Sequence, residues 1–166
     1  EKNIHLLMRA MVIVSKEIKD ARLVLAGPDE GQISRLIEYA NKYGIRVQYL
    51  GPVDEKQKHE LYRTNTVYAL PSLYEGFGMT LLEAGMHAMP SVITGSGGQI
   101  YAAPPGKASL WAEPRPMKYA EALIRLLTDK QLWNKLSRGA YEHALGFTWD
   151  RILPMYEKLY RDVAEP

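Results

Sequence analysis

The sequence predicts an α/β domain, with a parallel sheet flanked by helices. Three observations carry that expectation. Short apolar runs alternate with helical stripes along the whole chain of 166 residues. Several of the runs end in glycine-rich turns. The stretch 70–98 reads as strand end, glycine loop, helix, strand and second glycine loop, the wiring of a parallel α/β unit.

Taken in order, Leu6, Leu7, Ala10, Met11, Ile13, Val14 and Ile18 form an apolar stripe that predicts a helix over 4–19. A parallel sheet would want a strand before it, so the chain reads as an excised or trimmed piece. Residues 22–26 form a strand, and Asp29 in the turn Gly27-Pro28-Asp29 is placed to cap the next helix. That helix turns Ile33, Leu36, Ile37 and Ala40 inward, and Gly44 ends it. A strand over 47–50 leads into the turn Gly51-Pro52-Val53, and a helix over 55–63 carries His59 on a polar surface, where it reads as solvated.

The run 67–70 reads as a buried strand, a helix starts at about Met79, and 91–94 forms another strand after Pro90. Pro104-Pro105-Gly106 is a loop before a short strand over 108–111. Helices follow over 119–128 and 132–145. Thr148 is placed to cap a last helix whose stripe of Ile152, Tyr156, Leu159, Tyr160 and Val163 is assigned to the core, with Pro154 awkward beyond its first turn.

Length and apolar content fit one domain, 1–166, with a sizeable core. A net charge of +2 argues against nucleic acid or an acidic membrane surface as partner. The absence of cysteine excludes disulfides, thiol catalysis and Cys-ligated metals. No apolar run approaches the ~20 residues of a transmembrane helix, and a cytoplasmic location is expected. Nothing in the His, Asp and Glu spacing suggests a metal site.

The chemistry concentrates in the loop before the helix at Met79. Gly76 and Gly78 let a backbone approach a ligand closely. The helix that follows offers unpaired N–H groups at the positive end of its dipole, which favours a phosphate. Glu75 falls in the loop and Glu83 on the helix's second turn, so the two carboxylates can receive hydroxyls from two portions of one ligand. A sugar–diphosphate–nucleoside has that form. Each carboxylate taken alone reads more simply as an exposed surface group; the combination with the glycine loop and the later Gly97-Gly98 is less ordinary.

Pro71-Ser72, Glu75-Gly76-Phe77-Gly78, the spacing of Glu75 to Glu83, Glu83-Ala84 and Gly97-Gly98 resemble the signature of the retaining glycosyltransferases of the GT4 family. The resemblance covers almost the whole chain and implies the C-terminal, Rossmann-like donor half of a GT-B fold. It implies a nucleotide-diphosphate sugar (UDP-, GDP- or ADP-linked) as donor, no cofactor, and transfer with retention and without a metal. The acceptor, a saccharide, lipid-linked or small molecule, would be bound by an N-terminal domain. Peripheral association with the inner membrane face is open for the full-length enzyme. The resemblance assigns Glu75 to the donor sugar and Glu83 to the ribose.

Lys2 matches the lysine of the family's phosphate clamp, with its arginine partner and a first strand expected before Glu1. By the same resemblance, the amides around Phe77 to Thr80, those of Gly76, Gly78 and Met79 among them, are expected to face the diphosphate. The resemblance implies that Gly27 and Val53 line the nucleotide's cleft, where a helix-capping turn and an ordinary Gly-Pro turn explain them as well, and that Gly97 and Gly98 form its opposite wall. Glu113-Pro114 resembles an acidic-Pro pair after the family's last strand. Tyr101 stands where the family usually has an acidic residue, which leaves the local contacts open. Two other functions fit the same residues: half of a nucleotide-sugar epimerase, or a non-catalytic sugar-nucleotide-binding module. The piece alone is expected to bind donor weakly and to transfer little.

Overall fold

Helix α1 (Ile4–Glu17) forms because its apolar stripe, Leu6, Leu7, Met8, Ala10, Met11 and Val14, is buried along one side. The computed structural model describes residues 2–164. Strand β1 (Arg22–Leu25) follows, and the Asp29 carboxylate then gathers the turn by accepting from the amides of Gly31, Gln32 and Ile33. Helix α2 (Ile33–Tyr43) starts there and stops at Gly44, whose φ of 67° takes the left-handed conformation that ends many helices. Strand β2 (Arg46–Tyr49) comes next, one residue earlier than the apolar run suggests. Helix α3 (Glu55–Thr64) opens on a reciprocal capping box between Asp54 and Gln57.

The second half contains β3 (Tyr68–Leu70), α4 (Met79–Met86), β4 (Ser91–Ile93), the single turn α5 (Gln99–Ala102) and β5 (Ser109–Trp111). Helix α6 (Pro116–Thr128) has proline in its first turn, where no N–H is required, and α7 (Lys130–Ala144) is capped by the Asp129 side chain. A 3₁₀ turn, Leu145–Phe147, leads to α8 (Trp149–Ala164).

All strand pairings are parallel. β4 is central and buried along its length, pairing β3 through Tyr68↔Ser91 and β5 through Ser91↔Ser109. Its alternating side chains divide the core: Val92 packs with α1, α2 and α6, and Ile93 with α4 and α7. Helices therefore cover both faces, as the α/β reading requires.

Two features differ from the sequence reading. The strands form two sheets, β1–β2 and β3–β4–β5. A cleft of about 810 Å³ runs between β1 and β3, lined by 22–27 on one side and 67–71 on the other. The stripe of α8 is also not core: no residue of this helix is buried, and Trp149, Tyr160 and Val163 are among the most exposed apolar side chains. The periodicity encoded an apolar face correctly but not what covers it. Pro154 lies inside this helix. No helix among the described residues is long and apolar enough to cross a membrane.

Candidate functional site

The loops that leave β3 and β4 are joined by one buried side chain. Gln99 is 0% exposed; its Oε1 accepts from the amides of Thr94 (3.1 Å) and Gly95 (2.9 Å), and its Nε2 donates to the Ser72 carbonyl at 3.3 Å. The Thr94 hydroxyl donates to that same carbonyl at 2.5 Å. Trp111 Nε1 donates to the Thr94 carbonyl at 2.8 Å and seals the β5 side. Gly97 and Gly98 then lie directly on the loop of Glu75 to Phe77, with the Gly98 amide donating to the Glu75 carbonyl at 2.9 Å. A Cβ on Gly97 would overlap that carbonyl oxygen, and one on Gly98 would overlap the Gly76 carbonyl and Phe77 Cα. The pair expected on the opposite wall of the cleft is thus in contact with the Glu75 loop, and only glycine permits the contact.

Glu75 is set by this framework. Its Oε2 accepts from Lys2 Nζ at 2.8 Å and from the buried Ser72 hydroxyl at 3.3 Å. The carboxylate is 16% exposed and the lysine 62%. Beside it, α4 begins after Gly78, whose φ of 93° reverses the chain and whose lack of a side chain leaves the amides of Met79 and Thr80 without a side-chain cap, while the Leu81 amide donates to the Gly78 carbonyl. The starts of α3 and α7 are by contrast occupied by Asp54 and Asp129. The Phe77 ring turns away to pack on Phe147 at 5.7 Å between centroids, so only its backbone faces the site. Met79 is exposed, and Leu81, Leu82, Ala84 and Gly85 anchor the helix from behind.

Glu83 sits one turn further along α4, and both its oxygens are engaged by α3. Tyr62 Oη donates to Oε2 at 3.0 Å; Lys58 Nζ donates to Oε1 at 3.3 Å and also to Glu55 Oε1 at 2.9 Å. The hydrogen bond that Lys58 donates to Glu55 raises the Lys58 pKa, against a burial effect that lowers it, and Glu83 adds to the rise. Burial foremost, then Tyr68 and Glu83, pushes the Tyr62 hydroxyl far above its ordinary value, so it remains a proton donor. His87 Nδ1 donates to the Glu83 carbonyl at 2.8 Å, which leaves its Nε2 to accept from His59 Nδ1 at 3.0 Å. His59 is therefore exposed and also hydrogen-bonded.

Lys2, Gly27, Val53, Lys58, Tyr62 and Thr80 line the cleft between the sheets. Gly27 (φ 135°) is fixed by its amide donating to the Gly51 carbonyl and its own carbonyl accepting from Tyr49 Oη at 2.9 Å. The predicted residues thus gather at the carboxyl ends of β1, β2, β3 and β4, where α/β sheets bind ligands. The sequence reading missed Lys58, Tyr62, Thr94 and Gln99, and had Ser72 only as part of the Pro71-Ser72 motif, with no role. The i,i+4 spacing of Lys58 and Tyr62 placed both on one face of α3, but nothing in it named α4 as their neighbour. Tyr101 is exposed, and its carbonyl accepts from His143 Nε2. Glu113 pairs with Arg115 at 3.4 Å. Among the described residues, no group of three or more His, Cys, Asp or Glu could hold a metal ion.

The family described as glycosyl transferases group 1 matches residues 1–143. A D-inositol 3-phosphate glycosyltransferase from Corynebacterium diphtheriae is 30% identical over 152 residues, 88% of this chain and 36% of that enzyme. The sucrose-phosphate synthase of Thermosynechococcus elongatus superposes with a TM-score of 0.82 at 25% identity, over 94% of this chain and 42% of that one. A pneumococcal O-GlcNAc transferase solved in complex with UDP and GlcNAc gives 0.85 at 23% identity, over 99% of this chain and 34% of that one. The chain therefore spans about two fifths or less of the length of these relatives.

Proposed function

The chain belongs to the group 1 glycosyl transferases, and from that premise we propose that it binds the nucleotide-diphosphate sugar in a retaining, metal-independent glycosyl transfer. One observation carries this reading: Lys2 and the uncapped start of α4 converge on Glu75 at the end of β3. A diphosphate laid there meets a point positive charge and the amides of Phe77 to Thr80. Glu75 receives hydroxyls of the donor sugar on one side, and Glu83 receives the ribose on the other.

When the sugar's anomeric carbon leaves the diphosphate for an acceptor oxygen, negative charge grows on the departing phosphate. Lys2 and the α4 amides are preorganised for that charge. The acceptor is met by a part of the whole enzyme outside this chain. The two sheets and the cleft between them support this reading, since a further parallel strand between β1 and β3 would give the order 3-2-1-4-5-6 of doubly wound sheets. The ligand then lies at the point where that order reverses.

The test is the melting midpoint of the chain with UDP, GDP or ADP, beside Lys2→Ala and Glu83→Gln. A ligand bound only by the folded state raises the midpoint. One nucleotide is expected to raise it, with a smaller rise in both variants. An equal rise in the chain and both variants would place the nucleotide elsewhere.

A further inference from the structure

Helix α3 lay outside every functional expectation, yet its Tyr62 and Lys58 hold both oxygens of Glu83. Tyr62 is 8% exposed and wedged among Ala84, Met89 and Tyr68, with its ring set edge-on to Tyr68 at 5.7 Å. Its hydroxyl has no freedom to leave Oε2 without unpacking that cluster. Lys58 differs: it reaches Oε1 from the cleft at the longer distance of 3.3 Å and already has a second carboxylate, Glu55, at 2.9 Å. Releasing Oε1 leaves its ammonium paired with Glu55. One oxygen of Glu83 is therefore permanently committed, and the other is held by a partner that can depart.

We propose that Tyr62 is a positioning residue that commits Oε2 of Glu83, so that Oε1 alone receives one ribose hydroxyl, which takes the place of Lys58. The inference rests on the nucleotide reading of the site and adds to it a specificity: one of the two ribose hydroxyls is read by Glu83 and the other is not. A carboxylate free of Tyr62 would rotate about its terminal torsion and receive either hydroxyl, or both. A fixed one discriminates, because only one ribose hydroxyl can reach Oε1; the nucleotide that lacks it leaves Oε1 with Lys58 and gains nothing from Glu83.

Binding of UDP, GDP and ADP is measured against their 2′-deoxy and 3′-deoxy counterparts, for the chain and for Tyr62→Phe, Lys58→Met and Glu83→Gln. Phenylalanine keeps the ring packing and removes only the hydroxyl. The chain is expected to lose about 10-fold in affinity with one deoxy counterpart and little with the other. Tyr62→Phe should bring that ratio to within about 3-fold, chiefly by weakening the ribonucleotide. An equal loss for ribo- and deoxynucleotides would reduce Tyr62 to packing and overturn the proposal, as would an unchanged ratio.

Lys58→Met should preserve the ratio and bind the ribonucleotide at least as tightly; loss of the ratio there would overturn the role given to Lys58. Glu83→Gln separates the two levels of the argument. If it keeps the chain's full discrimination, or if no nucleotide binds the chain, the nucleotide reading of Glu83 fails and this inference with it. If the discrimination falls in Glu83→Gln but not in Tyr62→Phe, only this inference fails.

Discussion

Lys2 Nζ lies 2.8 Å from Glu75 Oε2, joining two residues 73 positions apart in the chain. The pair spans the carboxyl end of β3 and links the residue just ahead of α1 to the loop ahead of α4. An exposed ion pair of this kind contributes at most about 1 kcal/mol to stability. In the proposed reading its role is to hold a positive charge on the loop that leads into α4.

Lys2→Ala should therefore leave the melting midpoint within a few degrees while weakening nucleoside diphosphate binding about 10-fold or more. Titration calorimetry at two salt concentrations checks this. The variant should also show the weaker salt dependence, since one cation has been removed.

The glycines divide into two kinds. Gly97→Ala and Gly98→Ala each set a methyl group into the backbone of the Glu75 loop and should destabilise the chain by roughly 2 kcal/mol or more. A Cβ on Gly76 meets nothing within 4 Å. Gly76→Ala should therefore keep the stability within about 0.5 kcal/mol yet weaken ligand binding by obstructing the approach. Urea unfolding and binding measured on the same three variants distinguish the kinds.

Gln99→Leu removes the acceptor of two backbone amides and a donor to the Ser72 carbonyl. The Ser72 carbonyl keeps the Thr94 hydroxyl, so the two stranded amides should cost about 2–4 kcal/mol and lower the melting midpoint by roughly 5–12 °C. The loops after β3 and β4 should also exchange amide hydrogens faster than the strands themselves.

Alkaline pH offers an independent check on burial. Tyr62, Tyr68 and Tyr119 all have hydroxyls raised above the ordinary value, with burial the leading cause. A folded pKa above the unfolded one gives stability that is complete below about pH 10 and is lost as pH rises toward the folded value. The melting midpoint should fall above pH 10. Tyr119→Phe, which loses a 2.7 Å hydrogen bond to the Val92 carbonyl, should start lower and fall less steeply. A parallel fall in both proteins would show that Tyr119 does not contribute to it.

The loops were legible in the sequence because glycine and proline act on the backbone wherever the chain goes. The strand–loop wiring brought the loops of Gly76, Gly78, Gly97 and Gly98 to the same end of the sheet, but it set Gly97 and Gly98 on an opposite wall rather than directly on the backbone of the Glu75 loop. The partners of Glu83 were illegible for a different reason. Tyr62 and Lys58 look like ordinary residues of a polar helix, and only the packing of Tyr62 against Ala84 and Met89 brings α3 to α4. Gln99 was hidden similarly, since its hydrogen bonds reach residues on both loops. The stripe of α8 marks the opposite limit: its pattern was plain, and its exposure was not.

The most direct test of the central claim is an amide-resolved NMR titration of the chain with UDP, GDP and ADP. The account predicts that one of them shifts the amides of Gly76 to Thr80 most, with Lys2, Lys58 and Glu83 following and α8 unmoved. Shifts confined to another surface, with the first turn of α4 unchanged, would contradict it.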